Sequence, residues 1–161
     1  MTDPIKTGTG ATISIGTTAS AETQSQFEAD TYQEVGDVEE IGEFGDQRAS
    51  VQFAALKDGR VRKGRGTADA GEVPLRYAHR TADVGQDAIK AAYEAESHAA
   101  DEFNFKVMLN DQITPSTGNP TTFYFRAKVM GRRVQSVSND GVVRAVATLA
   151  INSPVIEVDA T

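Results

Sequence analysis

The chain has 161 residues, of which 39% are hydrophobic and 24% charged, with a formal net charge of −7 and no Cys. This length fits one domain, residues 1–161, around a single hydrophobic core. The lack of Cys excludes disulfides, thiolate metal sites and cysteine nucleophiles. The acidic balance argues against nucleic-acid binding, which needs clustered Lys and Arg. Neither a signal peptide nor an apolar stretch of membrane-spanning length is recognisable, so we expect a soluble protein without a membrane partner.

Residues 7–26 are rich in Gly, Thr, Ser and Ala, and only residues 12–15 alternate as a strand would. Such a segment cannot bury enough apolar surface by itself to offset the entropy lost on ordering. We therefore expect residues 1–30 to form an N-terminal arm that a neighbouring subunit orders on assembly.

Two charge runs follow the arm. Nine acidic residues between Glu22 and Asp46 are uninterrupted by Lys or Arg, and a basic cluster begins soon afterwards. The acidic residues are Glu22, Glu28, Asp30, Glu34, Asp37, Glu39, Glu40, Glu43 and Asp46, and the basic ones are Lys57, Arg60, Arg62, Lys63 and Arg65. The runs are either two solvated faces or complementary surfaces on successive subunits.

The next predicted elements are strands and one helix. Val51, Phe53 and Ala55 lie on one parity, which predicts a short half-buried strand with one face on a core, and the Asp58-Gly59 pair predicts a tight turn into the basic segment. A second alternation predicts a strand through Val73, Leu75 and Tyr77. Residues 83–98 read as a single amphipathic helix, with Asp83 as N-cap, Gln86 completing a capping box, and Ile89, Ala92, Tyr93 and Glu96 at helical spacing.

The C-terminal third has the clearest period-two alternation, which predicts half-buried strands. The Asp140-Gly141 pair predicts a hairpin turn with positive φ between residues 133–138 and 142–151. Val142 and Val146 indicate partial cover of the second face of the last strand. The apolar positions are Phe103, Phe105, Val107 and Leu109; Phe123, Phe125, Ala127 and Val129; and Val143, Ala145, Ala147, Leu149 and Ile151.

Residues able to carry chemistry are sparse. Adjacent Glu39 and Glu40 would point to opposite faces of a strand, which spoils them as an acid/base pair. His79 and His98 are best explained as structural residues, and two His without Cys make a poor zinc site. No nucleophile elbow, phosphate loop or dinucleotide fingerprint is present. We predict no catalytic residues, no metal and no cofactor, and hence no enzyme.

Several short motifs, taken together with their order, resemble the tail tube proteins of long non-contractile-tailed bacteriophages. The motifs are VGDVEEIG at 35–42, ALKDG at 55–59 and GRGTADAG at 64–71, followed by the helix at 83–98, the strand at 103–109 ending in Asn110-Asp111, and the hairpin at Asp140-Gly141. The resemblance spans residues 35–151 and leaves the arm uncovered. The tube of type VI secretion systems is similar in design.

The resemblance implies a mainly β, sandwich or barrel-like subunit with one flanking helix, at about 83–98, and a long hairpin loop, at about 57–71. Such subunits form six-membered rings that stack into the tail tube of the virion, assembled in the host cytoplasm. DNA would pass through the lumen without specific binding during ejection into the host. The implied partners are further copies of the chain and the tail initiator or baseplate, tape measure and terminator proteins.

Two sets of site residues follow from this interpretation. The inter-ring stacking loop comprises Lys57, Asp58, Arg60, Arg62, Lys63, Arg65 and Asp69. The candidate lumen-lining acids are Glu34, Glu39, Glu40 and Glu43. Two alternatives stay open: another ring-forming tail component, such as a terminator or completion protein, and a ligand-binding β-barrel, whose mouth would hold a small molecule.

Overall fold

A computed structural model describes residues 5–18, 21–95, 101–135 and 137–161, which form ten strands and two helices. In chain order these are β1 (Thr12–Thr18), α1 (Gln24–Glu28), β2 (Gln33–Glu34), β3 (Val38–Ile41), β4 (Gln47–Ala54), β5 (Val61–Asp69), β6 (Glu72–Ala78), α2 (Val84–Tyr93), β7 (Glu102–Met108), β8 (Thr122–Val134), β9 (Arg144–Ile151) and β10 (Ile156–Val158). Neither helix is long and apolar enough to cross a bilayer.

Eight strands form one antiparallel sheet that curls towards closure. Its order is β2-β1-β7-β8-β9-β6-β3, with β10 paired to the first residues of β8. The strands at the two ends of this order, β2 and β3, are separated only by residues 35–37. Within that link, Val35 donates to the carbonyl oxygen of Ile13 in β1, and the carbonyl of Asp37 accepts from Ala78 in β6. The link therefore joins both ends of the sheet, which confirms the predicted barrel-like architecture.

The core lies inside this curled sheet and follows the predicted alternation. Leu75 and Tyr77 of β6 and Leu149 of β9 are fully buried, and Phe105 stacks on Phe125 with ring centroids 5.7 Å apart. Most of the intervening positions carry charged or polar residues, such as Arg76, Lys106 and Arg126. Because one parity is buried on strands from both halves of the chain, residues 73–77, 103–107, 125–129 and 145–151 belong to a single core.

Helix α2 covers the closing link and is shorter than predicted. The Asp83 carboxylate accepts from the backbone N–H of Gln86, 2.9 Å away, as an N-cap does. The reciprocal bond of a capping box is absent, because the Gln86 side chain bonds to residues outside the helix. The helix ends at Tyr93, directly after its last buried residue, Ala92, since further turns would have no core to pack on. Glu96 and His98 lie outside the described residues.

The N-terminal segment packs on its own chain more than the sequence predicts. Residues 12–18 form β1, which lies within the sheet between β2 and β7. Helix α1, which the sequence did not predict, buries Phe27 against Tyr124 on the outer face of β8, with ring centroids 5.7 Å apart. Residues 21–32 therefore have partners within the subunit. Additional ordering by assembly remains a prediction.

Asp30 fastens this segment to the sheet. Its carboxylate accepts hydrogen bonds from the backbone N–H and the hydroxyl of Thr17, and from the buried Asn104 side chain at 2.8 Å. Burial alone would raise the pKa of Asp30, but the bonds from Thr17 and Asn104 outweigh it and hold the pKa below 3.8. The ionised carboxylate is thus the form that holds the arm in place.

Strands β4 and β5 form a separate two-stranded sheet, called the ribbon below (residues 47–69). Val51 and Phe53 are 57% and 64% exposed, so the prediction that they face a core was wrong. Gly59 has a φ of +60°, as the predicted Asp58-Gly59 turn requires. The flanking strands are longer than predicted, since the hairpin extends back to Gln47.

The last hairpin also differs from its prediction. Residues 122–134 form one continuous strand, β8, with a bulge between Val129 and Gly131, rather than two strands. Strand β9 begins at Arg144, so Val142, which is 55% exposed, lies in the connection and not on the strand. Val146 is half-buried, and the predicted partial cover of the second face of β9 is therefore confirmed at that position only. Gly141 does not have a positive φ, because the long connection removes the need for a tight turn. Ser136, within the predicted strand 133–138, lies outside the described residues.

Candidate assembly surfaces

The register of the ribbon gives it two chemically different faces. Residues directly opposite in an antiparallel pair share a face. Val51 opposes Gly64 and Phe53 opposes Arg62, which defines the apolar face. Ser50 opposes Arg65, Gln52 opposes Lys63 and Ala54 opposes Val61, which defines the basic face. Every residue of β4 is exposed, as is every residue of β5 except Gly66, so both faces are open in the single subunit.

The predicted stacking residues divide between these faces and the turn. Arg62 pairs with Asp58 at 2.7 Å. Hydrogen bonds from the Arg60 backbone N–H and the Arg62 side chain lower the pKa of Asp58. Asp69 accepts from the backbone N–H of Gly71 and so stabilises the end of β5. Lys57, Arg60, Lys63 and Arg65 form no ion pair with the residues that the structure describes, which leaves them available to a partner.

Charge is separated between the ribbon and the rest of the chain. Residues 47–69 contain six Lys or Arg and two Asp, a net charge of +4, whereas the remaining residues carry −11. The ribbon is a separate two-stranded sheet, and neither of its strands pairs with the main sheet. A basic projection on an acidic body is complementary to the body of a second copy.

The predicted lumen acids lie in different environments. In β3, a bulge between Val38 and Glu40 breaks the alternation, so Glu39 and Glu40 do not point to opposite faces as predicted. Both reach arginines of β9 and β6: Glu39 lies 2.7 Å from Arg144, and Glu40 lies 3.2 Å from Arg76. The hydrogen bond from Arg144 lowers the pKa of Glu39. These two acids are therefore partly neutralised within the subunit.

Glu34 and Glu43 are the two candidate acids without an ion pair among the described residues. Glu34 is exposed on β2, at the other end of the strand order from Glu39 and Glu40. Glu43 is exposed after β3 and lines an open groove of about 1030 Å³ at the base of the ribbon, together with Asp46, Asp69 and Glu72. The four predicted acids thus lie on β2, on β3 and in the segment after β3.

Two findings on the described residues bear on the binding of a small ligand or a metal ion. The inside of the curled sheet is filled by buried side chains, including Tyr77, Phe105 and Phe125. Among the described residues, no group of three or more His, Asp or Glu side chains is placed to hold a metal. His79 is exposed just after β6, and His98 lies outside the described residues.

Sequence reasoning missed the arginines that pair with the acidic run and the apolar face of the ribbon. Arg76, Arg80 and Arg144 lie 36 to 105 positions from their acidic partners, and only the sheet register brings them together. A signal for the exposed face was present, since Gly64 and Gly66 interrupt the strand that must pair with Val51 and Phe53.

The fold is similar to that of subunits in several tail and injection assemblies. The SPP1 tail tube aligns with a TM-score of 0.65 and 16% identity over 96% of this chain and 78% of that chain. A chain of the 6-fold symmetrised baseplate of the anti-feeding prophage gives a TM-score of 0.74 and 12% identity, covering 99% and 98% of the two chains.

The tail of an empty gene transfer agent particle, refined with C6 symmetry, gives a TM-score of 0.64 and 11% identity over 96% of this chain and 99% of that chain. No protein-family model matches the sequence, and no curated protein matches it significantly. At these identities the similarity establishes architecture: the chain has the fold of subunits found in tail tubes and related injection particles.

Proposed function

We propose that this protein is a structural subunit that polymerises as stacked six-membered rings into the tail tube of a phage or phage-like particle. The observation that carries the proposal is the fold, which matches chains of the SPP1 tail tube and of C6-symmetric tails over nearly the whole length of this chain. A structural role needs no catalytic residue, and we propose that the chain has none, with no metal and no cofactor.

The charge separation supports head-to-tail stacking. A basic ribbon on one copy and an acidic body on the next form a heterologous contact, and such a contact continues along an axis when its rotation does not close a ring. Lys57, Arg60, Lys63 and Arg65 are the residues that we propose to face the next ring, while Asp58 and Asp69 shape the ribbon through Arg62 and Gly71. Single exposed ion pairs contribute only about 0 to 1 kcal/mol, but six copies around a ring act together.

We propose that Glu34 and Glu43 contribute most of the negative charge of the lumen, with Glu39 and Glu40 as paired, weaker contributors. An acidic wall repels DNA phosphates over a Debye length, about 8 Å at physiological salt, and so favours passage over binding. A density map of the tube tests this assignment. Carboxylates of all four residues on the outer surface would contradict it.

The remaining partners follow from the same assignment. We propose that the tube begins on an initiator or baseplate complex, is measured by a tape measure protein and is closed by a terminator. The arm, residues 1–30, would contact a neighbouring subunit in addition to its own sheet. The mature location would be the virion tail, after assembly in the host cytoplasm, and DNA would pass through the lumen into the host.

A second candidate is a terminator or completion protein, whose ring would cap a tube instead of extending it. It is favoured by the similarity to a chain in the sheath/tube terminator structure of an extracellular contractile injection system, with a TM-score of 0.70 and 12% identity over 98% of each chain. A ligand-binding barrel fits less well, because core side chains fill the curled sheet.

Negative-stain electron microscopy separates these candidates. The purified protein, concentrated alone or mixed with the initiator complex of its own particle, should form hollow tubes with a regular axial ring repeat. Single rings that never stack would favour the terminator. Monomers in both conditions would contradict a tube subunit.

A further inference from the structure

The apolar face of the ribbon carries a glycine that the subunit itself does not need. Gly64 lies in β5 directly opposite Val51, beside the exposed Phe53. Glycine weakens a strand, because it loses more backbone entropy than other residues and contributes no packing. A glycine inside a strand therefore needs a reason, such as a bulge or the close approach of another chain.

The neighbouring glycine has an internal reason. Gly66 lies where two residues of β5 oppose Ala49 of β4, a bulge. A Cβ atom on Gly66 would lie 3.1 Å from both the Ala49 carbonyl oxygen and the Cγ2 atom of Val51. A side chain at this position would press against both groups, which gives Gly66 a reason within the ribbon.

Gly64 has no comparable reason. A Cβ atom there would meet only the carbonyl oxygen of Val51, at an ordinary 3.9 Å, and the backbone is not in the left-handed region. The added Cβ atom would fit, and a β-branched residue would favour the strand. The space above Gly64, flanked by Val51 and Phe53, is therefore kept open for something outside the subunit.

We propose that the face formed by Val51, Phe53 and Gly64 is a docking surface for a second copy of this chain, and that Gly64 admits a segment of that copy between the two apolar side chains. This docking role rests on the proposed tube function and adds to it. The basic face contributes charge to the contact between two copies, whereas the apolar face contributes shape complementarity and apolar contact. Two-stranded ribbons are marginal in water and gain stability from being covered.

The charge distribution identifies the occupant. A ribbon of net charge +4 is attracted to a body of net charge −11, and a second copy provides that body. A nucleic acid would meet the ribbon favourably but would be repelled by the remainder of the same chain. The apolar residues on this face also suit a protein surface better than a phosphate backbone.

The test adds bulk at Gly64 without removing any contact inside the subunit. Gly64→Val should leave the thermal melt of the free subunit unchanged or slightly raised. It should increase the critical concentration for assembly, measured by sedimentation velocity and light scattering, by about tenfold or more, equivalent to about 1.4 kcal/mol. Gln33→Val is the matched control, since it places the same side chain at an exposed strand position outside the ribbon, and its effect should be several-fold smaller.

A second readout does not depend on tubes. Because the chain contains no Cys, Val51→Cys can carry a photo-crosslinker at a unique position, and it should capture an acidic segment of a second copy. Assembly of Gly64→Val at the wild-type concentration would overturn the docking role and leave the tube function standing. Self-association that stops at rings or dimers and is weakened by Gly64→Val would support docking while contradicting the tube.

A wild-type protein that stays monomeric at high concentration and with the initiator complex would overturn both. Binding of a DNA fragment that Gly64→Val weakens, without self-association, would assign the face to nucleic acid and overturn the docking role.

Discussion

The side-chain amide of Gln86 donates a hydrogen bond of 3.0 Å to the carbonyl oxygen of Gly36, 50 positions earlier in the chain. The same amide donates to the carbonyl of Ala78 at 2.9 Å, and its oxygen accepts from the backbone N–H of Arg80. Gln86 is 2% exposed, so these bonds are shielded from water. One side chain thus holds together the β2–β3 link, the end of β6 and the start of α2.

We expect Gln86→Met to destabilise the subunit by about 2 to 4 kcal/mol, since it keeps the approximate shape of the side chain but leaves two carbonyls and one N–H of the backbone without a partner. Urea denaturation monitored by circular dichroism measures the change. Gln33→Met, on the exposed strand β2, is the control and should change stability by less than about 0.5 kcal/mol. Equal stability of the two variants would show that the link is held by other contacts.

Phe27→Ala tests whether the arm is packed in the free subunit. Phe27 is 1% exposed against Tyr124, so its truncation should cost about 3 to 5 kcal/mol in the monomer. Phe53→Ala removes the same atoms from the exposed ribbon and should have little effect on monomer stability. If Phe27→Ala left the melt of the monomer unchanged and impaired only assembly, the arm would be ordered by neighbouring subunits.

The stability contribution of Asp30 should depend on pH. Its folded-state pKa lies below the ordinary 3.8, so its contribution is fully present above the unfolded-state pKa and is lost as the pH falls through the folded-state pKa. The stability difference between wild type and Asp30→Asn should therefore be constant near neutral pH and shrink below about pH 4. Denaturant titrations from pH 3 to 7 measure it.

Glu22→Gln, which removes a carboxylate from an exposed position just before α1, serves as the control for Asp30→Asn. A stability difference that stays the same down to pH 3 would mean that the Asp30 carboxylate does not fasten the arm.

Charge reversal on the basic face should block stacking without unfolding the subunit. The sharpest variant is Lys63→Glu combined with Arg65→Glu, because both side chains lie on that face, whereas Arg62 already pairs with Asp58. Tubes should be much shorter in electron micrographs, whereas the thermal melt of the subunit should be unchanged. High salt should weaken wild-type tubes for the same reason.

The control for this variant is Lys90→Glu with Arg133→Glu, which changes net charge equally at exposed positions of α2 and β8. Tubes of normal length from the ribbon variant, with the control also normal, would remove the basic face from the stacking contact.

The sequence predicted the core better than the surfaces, for physical reasons. Alternation through Leu75, Phe105 and Leu149 identifies buried faces because burial on a sheet has period two. The same alternation gave a wrong prediction at Val51 and Phe53, which are exposed and do not face the core. An apolar strand face that packs on the core and an apolar strand face that is open to a partner have the same sequence pattern. The bulge at Glu39 was invisible because it depends on the register against β6.

The curled sheet also has a consequence for biosynthesis. Ile13 of β1 pairs with Val107 of β7, roughly ninety residues later, and the β2–β3 link can close the sheet only after β6, β7, β8 and β9 are all in place, because β8 and β9 lie between β7 and β6. Strand β1 is synthesised first, but it cannot pair with β7 until β7 has also been synthesised. Such long-range pairing slows folding and exposes unpaired strands in the meantime. A nascent chain is thus open to trapping by other copies until synthesis has passed β9, which favours chaperone assistance for a protein needed in many copies.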